Sequence, residues 1–243
     1  ANKLSIIHQF WRRRFIVDTL SRLRYTILPT GRSVTELSTY SLKSPQTERT
    51  FTMGEFRESR TAHNLLCSFA GESQARNRYT YFARRAEEEG YVQIGDIFEE
   101  TANQECEHAL RFFKFFNGGE LEISASFPAG VIGRTHENLL AAAAGENFEH
   151  TELYPGFAEI AREEGFERAA ETWDAICVSE KQHEKRYREL AANIEADRVF
   201  RRDQDVVWKC RNCGYLHTGM EAPEKCPACV RPRNNFELLG ENW

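Results

Sequence analysis

No stretch of this chain reaches the ~18 consecutive apolar residues of a membrane-spanning helix, so none of it reads as a membrane span. The chain also lacks a basic surplus: 32 Lys and Arg stand against 37 Asp and Glu, a formal charge of −5. Residues 53–243 alone carry a net −11. That argues against nucleic acid as the main partner, because binding phosphates needs a basic patch. There is no GxGxxG fingerprint, so the chain does not itself bind a nicotinamide cofactor. Fifteen Gly and seven Pro among 243 residues exclude collagen and low-complexity repeats. The seven cysteines are an odd number, and four of them form two CxxC pairs. This reads as metal binding in a reducing compartment and not as a secreted disulfide framework.

Acids are scarce in residues 1–52, which hold three Asp and Glu, nine Lys and Arg and fourteen Ser and Thr. An Arg-rich, Ser-rich, acid-poor stretch has the composition of an organellar transit peptide. A disordered extension fits the same residues, as does an untranslated stretch ahead of a start at Met53. The expected organisation is this basic extension (1–52), a helical bundle (53–204) and a small metal-bound tail (205–243).

Hydrophobic periodicity predicts four long helices, at about 57–89, 91–117, 134–164 and 166–196. Gly90 and Gly165 sit just past the ends of the first and third, the C′ position that favours a positive φ. Each pair of helices therefore reads as a tight antiparallel hairpin. The hairpins are internal repeats. Leu65-Leu66 and Gly71-Glu72 recur as Leu139-Leu140 and Gly145-Glu146 at an offset of 74. Phe82, Glu105 and His108 recur as Phe157, Glu180 and His183 at an offset of 75. The Gly- and Pro-containing stretch between the hairpins is long enough to cross the whole bundle. The fold class expected is mostly α, a ferritin-like four-helix bundle with one long crossover.

Glu105-x-x-His108 and Glu180-x-x-His183 place both side chains of each pair one turn apart on one helix face, within reach of one metal. The other helices contribute Glu72 and Glu146, completing the dimetal carboxylate pattern of ferritin-like proteins. Carboxylates with imidazole suit iron or manganese. Glu149 is a fifth carboxylate on the face of Glu146, and its counterpart in the first repeat is Ala75. A ferric pair is a harder acid than a ferrous one, so His108 and Glu149 are candidates to exchange with oxidation state. Alternatively, Glu149 only accepts a hydrogen bond beside the metal ligands. Tyr79 and Tyr154 are candidate hydrogen-bond donors to the site, or ordinary core tyrosines.

Cys210, Cys213, Cys226 and Cys229 form two knuckles that can make a tetrahedral four-thiolate site. A zinc ribbon competes with a one-electron iron centre. The aromatic surroundings, with Gly214-Tyr215 after the first knuckle and Pro227 in the second, favour iron. Cys67 and Cys177 read as small core residues. Cys106, inside the first ExxH, has no resolving cysteine nearby.

Residues 54–243 resemble the rubrerythrin family nearly end to end. The resemblance is carried by FAGESQARNRY (69–79), DIFEETANQECEH (96–108), FPAG (127–130), AAGENFEHTELYP (143–155), AREEGF (161–166), SEKQHEKR (179–186), CRNCGY (210–215), CPAC (226–229) and FELLG (236–240). It implies a ferritin-like diiron domain followed by a rubredoxin-like β/loop domain. The implied diiron ligands and catalytic residues are Glu72, Glu105, His108, Glu146, Glu149, Glu180 and His183. The implied ligands of one rubredoxin-type iron are the four tail cysteines. It also implies a cytoplasmic hydrogen peroxide reductase of oxidative-stress protection. Electrons would come from NAD(P)H through a separate reductase or a rubredoxin, and the assembly would be a homodimer or a larger even oligomer. The basic extension departs from the family and leaves an organellar location open. A ferritin-like iron oxidase or iron store would use the same bundle but has no need of an electron-return tail.

Overall fold

The computed structural model describes residues 52–242, so the expectations for residues 1–51 lie outside the described residues. A short helix, α1 (Met53–Arg57), precedes α2 (Arg60–Glu88), α3 (Val92–Phe113), α4 (Thr135–Phe148), α5 (Tyr154–Glu164) and α6 (Glu167–Glu195). Three strands follow: β1 (Arg201–Cys210), β2 (Leu216–Glu221) and β3 (Phe236–Leu238). Among the described residues no helix is long and apolar enough to cross a membrane.

The first expected helix is α2, unbroken from Arg60 to Glu88, with α1 ahead of it. Ser59 caps α2 by accepting a bond from the Ala62 amide at 3.0 Å, which sets α1 apart as a separate turn. The second stops at Phe113, short of the expected 117, and Gly118 and Gly119 beyond it take left-handed φ values of 89° and 84°. Gly90 and Gly165, at φ 84° and 85°, make the two hairpin turns as expected.

The third expected helix is not one α-helix. A π-helical turn, Glu149–Leu153, joins α4 to α5. A π turn takes up one extra residue without breaking the helix. The change of repeat offset from 74 to 75 falls across this segment, between the Glu72/Glu146 and Tyr79/Tyr154 pairs. The surplus residue is the sequence trace of the π turn.

The stretch after α3 has no regular structure before α4 begins at Thr135, and it forms the crossover. Its Phe127 packs on the bare face of Gly71, where an added Cβ would lie 3.8 Å from the ring. Two apolar clusters fill the bundle. One holds Phe82, Ile94, Phe98, Leu139 and Tyr187, and the other Leu65, Phe112, Tyr154 and Trp173. On each long helix the acidic residues fall between the two clusters: Glu72 on α2, Glu105 on α3, Glu146 on α4 and Glu180 on α6. A polar layer is therefore enclosed between two apolar plugs.

The strands form an antiparallel sheet in the order β2-β1-β3 over a small core of Trp208, Phe236 and Ala222. The sheet region is tied to the bundle. Arg211 pairs with Asp96 near the start of α3, and Phe200 stacks on Tyr91 at 6.4 Å.

Candidate metal centres

The four helices bring the expected bundle residues into two overlapping groups. Glu72, Glu105, His108 and Glu180 form one, and Glu105, Glu146, Glu180 and His183 the other, the ligand atoms of each lying within 4.8 Å of one another. Glu105 and Glu180 belong to both. Glu105 turns Oε2 to His108 Nδ1 at 2.9 Å and Oε1 to His183 Nδ1 at 3.1 Å. Glu180 turns Oε1 to His108 at 2.9 Å and Oε2 to His183 at 2.8 Å. Each carboxylate therefore spans both positions.

These spacings fit cations. Ligands at about 2.1 Å from a metal and at right angles to one another stand about 3.0 Å apart. Glu72 Oε2 is buried with no hydrogen-bond partner, and the buried oxygens Glu105 Oε1, Glu146 Oε2 and both of Glu180 face only the Nδ1 atoms of the two histidines. So many buried acceptors around two imidazoles would be prohibitive without positive charge among them.

The electrostatics agree. Burial, then the charges of Glu149, Glu180 and Glu105, push the Glu72 carboxyl well above the usual range. Burial and the charge of Glu105 push Glu146 up to about 8. Burial disfavours a charged His108, yet hydrogen bonds to Glu105 and Glu180 raise it to about 10. His183 is likewise raised to about 12 by Glu105, Glu146 and Glu180 against its burial. Glu180 is lowered, because the two histidines outweigh its burial. Without metal, protons must do part of the work of cations.

Each tyrosine reaches across to the other repeat. Tyr154 donates to Glu72 at 2.5 Å, and Tyr79 donates to Glu146. Both hydroxyls are thus donors to the acidic layer as well as core residues. One partner escaped the sequence reading: His183 donates through Nε2 to Gln104 Oε1 at 2.9 Å. This fixes its tautomer and leaves Nδ1 bare toward the carboxylates. The far nitrogen of His108 has no such partner among the described residues. The only sequence signal for Gln104 is its position next to Glu105.

Glu149 stands outside both groups. It opens the π turn and lines a cavity beside the layer. Burial and the charges of Glu146 and Glu180 push its carboxyl well above the usual range. His108 occupies the position for which Glu149 was expected to compete.

In the tail the four cysteines come together. Cys210 and Cys229 Sγ lie 3.7 Å apart, and Cys213 and Cys226 Sγ 3.6 Å apart. A tetrahedral site with metal–sulfur bonds of about 2.3 Å has sulfurs about 3.8 Å apart. The two knuckles are alike: Gly214 N donates to Cys210 O at 2.8 Å, and Val230 N to Cys226 O at 2.9 Å. Cys67 and Cys177 are only partly buried: Cys67 borders a cavity, whereas Cys177 packs against the edge of the second apolar cluster. Cys106 borders an outer groove with Phe69, Arg76 and Phe113.

Comparison with known proteins agrees with this arrangement. The rubrerythrin family profile matches residues 63–191, and that of the rubrerythrin rubredoxin-like domain matches residues 208–237. The chain is 59% identical over 191 residues to the rubrerythrin of Nitratidesulfovibrio vulgaris, covering 79% of this chain and 100% of that one. The fully reduced, all-ferrous structure of nigerythrin superposes with a TM-score of 0.50 at 34% identity, covering 75% of this chain and 90% of that one. A Desulfovibrio desulfuricans bacterioferritin, at 20% identity and a TM-score of 0.52, covers 61% of this chain and 87% of its own, and shares the fold. The bundle thus carries a ferritin-like site of the diiron type, and the tail a four-cysteine iron site of the rubredoxin type. With both sites and both profiles on one polypeptide, this chain belongs to the rubrerythrin family.

Proposed function

We propose that the chain is a peroxide reductase that converts hydrogen peroxide to water at its bundle site and recovers electrons through its four-cysteine tail. The observation that carries this reading is the presence of two complete donor sets on one chain, one suited to a two-electron reaction and one to single-electron supply. An iron oxidase or store needs only the first. When bound, the iron pair supplies the two electrons that O–O cleavage consumes, and the tail iron passes electrons singly.

Glu72, Glu105, His108 and Glu180 hold one position, and Glu105, Glu146, Glu180 and His183 the other. Glu149 has two roles in this reading. With its carboxyl raised by burial, it would supply the proton that the departing oxygen requires. As the spare carboxylate, it would take the place of His108 when an iron pair held there is oxidised. The unanchored far nitrogen of His108 supports the choice of that histidine, since Gln104 holds His183 in place. Gln104 keeps the second position rigid while the first adapts.

The tail's Arg211 is held at Asp96, nine residues before Glu105, or about 14 Å along α3 at 1.5 Å per residue. We therefore assign fast electron supply to the tail of a second copy in a homodimer. The ultimate donor is a separate reductase, since this chain has no nucleotide-binding fingerprint.

The test is metal analysis with optical spectroscopy, followed by mixing of the reduced protein with hydrogen peroxide. Three irons per chain, a thiolate-to-ferric band, and oxidation by one equivalent of peroxide are expected. Zinc in the tail, or a reduced protein inert to peroxide, would overturn the assignment.

A further inference from the structure

Beside the acidic layer lies a cavity of about 490 Å³, enclosed by α2, the crossover, the π turn and the start of α5. Glu149 and Tyr154 form part of its wall, and Tyr154 is the donor to Glu72, so the cavity abuts the proposed reaction site. Room is made by the absence of side chains. Gly71 and Gly145, the residues before the paired Glu72 and Glu146, both line it.

Hydrogen peroxide has two heavy atoms and fills about the space of two waters, roughly 60 Å³ at ~30 Å³ each. The cavity is several times larger and falls within the range of about 300–1,000 Å³ typical of sites for small organic molecules.

The lining is also of two kinds. The tyrosine bonds Tyr154–Glu72 and Tyr79–Glu146 show that α2 runs antiparallel to the chain from α4 to α5. Cys67 on α2 therefore lies toward Phe157, and Arg78 toward Gly145. Cys67, Leu153 and Phe157 make one end apolar, with Phe127 of the crossover alongside. Burial pushes the Cys67 thiol up, so this wall is uncharged. Gln74, Arg78 and Glu149 supply the polar groups toward the other end. Arg78 Nε is buried with no hydrogen-bond partner, a donor left for a ligand.

We propose that this cavity is a substrate pocket for organic hydroperoxides, with the alkyl or aryl body between Phe127, Leu153 and Phe157 and the O–O group at Glu149. The proposal rests on the peroxide reductase reading and extends its substrate class. The reaction balances as ROOH + 2 H⁺ + 2 e⁻ → ROH + H₂O. The O–O bond breaks, the two electrons come from the reduced iron pair, and the alcohol and water leave protonated.

The experiment uses the full-length iron-loaded protein with one electron-donor system. Turnover is measured with hydrogen peroxide and with cumene hydroperoxide, and calorimetry measures binding of the unreactive product alcohol, 2-phenyl-2-propanol, to the resting protein. The kcat/KM for cumene hydroperoxide should come within tenfold of that for hydrogen peroxide, and the alcohol should bind one per chain. Cys67→Trp, which fills the apolar end, should abolish alcohol binding and lower the ratio of the two kcat/KM values at least tenfold. Cys67→Ser should not change that ratio. If hydrogen peroxide is reduced but cumene hydroperoxide is not, or the alcohol does not bind, the pocket proposal is overturned and the peroxide reductase reading stands. If neither is reduced, the reductase reading fails and the substrate proposal with it, whether or not the alcohol binds. Should Cys67→Trp not fold, the wild-type turnover and calorimetry still decide.

Discussion

Tyr154 donates its hydroxyl proton to Glu72 at 2.5 Å from the opposite hairpin, and the other Glu72 oxygen has no protein partner. The bond steadies a buried carboxylate whose remaining valence faces the metal layer. Tyr154→Phe keeps the ring against Phe112, 5.8 Å away between centroids, but removes the donor. Leaving a buried acceptor short of a partner costs about 1–3 kcal/mol. Iron at the position shared by Glu72 and His108 should bind about 10–100-fold more weakly. Chelator competition measures this, and unchanged affinity would reduce Tyr154 to a packing residue.

Glu149→Ala should leave iron binding in the reduced protein largely intact and weaken the oxidised state. Glu149 lies outside both ligand groups while His108 lies inside one. Crystal structures of the wild type in both oxidation states provide the direct check. An identical arrangement of His108 and Glu149 in the two states would rule out their exchange.

Supply of electrons between chains predicts complementation. One variant loses the tail iron (Cys210→Ala with Cys213→Ala), and the other loses the bundle site (Glu72→Ala with Glu146→Ala). Neither should turn over peroxide alone. Mixed dimers should recover turnover, because an intact tail then faces an intact bundle site on the other chain. Confirmed mixed dimers that stay inactive would point to transfer within one chain.

Val230 occupies the left-handed region at φ 53°, while the equivalent place in the first knuckle is Gly214 at φ 78°. A left-handed conformation costs an L-residue about 1–2 kcal/mol, more easily borne by glycine. Val230 is 72% exposed, so little packing would be lost with its side chain. Glycine's greater unfolded-state entropy returns about 0.5–1 kcal/mol of the gain. Val230→Gly should therefore stabilise the tail by about 1 kcal/mol or less, read as slower loss of the thiolate-to-ferric band in denaturant. Faster loss would show that the valine is not strained.

Removing the metals should give the protein a different pH dependence. Burial raises Glu72, Glu146 and Glu149, the second to about 8, above the ordinary carboxylate value. A raised folded-state value means that stability is greatest below the unfolded value of about 4.3 and falls as pH rises through the folded value. His108 and His183 act in the same direction at higher pH, losing their contribution near 10 and 12. Glu180 is lowered and opposes the trend only in the acid range. The metal-free protein should thus melt at progressively lower temperature from about pH 5 to pH 8, and iron should remove most of that slope. A metal-free melting temperature that rises over this range would contradict the charge crowding in the layer.

Much of this was readable in the chain because it is local. An ExxH pair lies on one helix face by the geometry of a single turn, and a glycine after Glu89 or Glu164 ends a helix by its own conformational freedom. The duplicated hairpins required only comparison of the chain with itself. The change in repeat offset was visible in the same comparison, but only the structure showed that the extra residue is taken up in a π turn. The relations that complete the site are not local. Tyr79 meets Glu146 across 67 residues, Tyr154 meets Glu72 across 82, and Arg211 meets Asp96 across 115. Sequence named the glutamates and histidines. The rotation and packing of four helices decided that Glu105 and Glu180 span both positions, that Glu149 stays outside, and that a cavity opens between Gly71 and Gly145. Such outcomes depend on how separate helices rotate against one another, and no spacing within one helix encodes that angle.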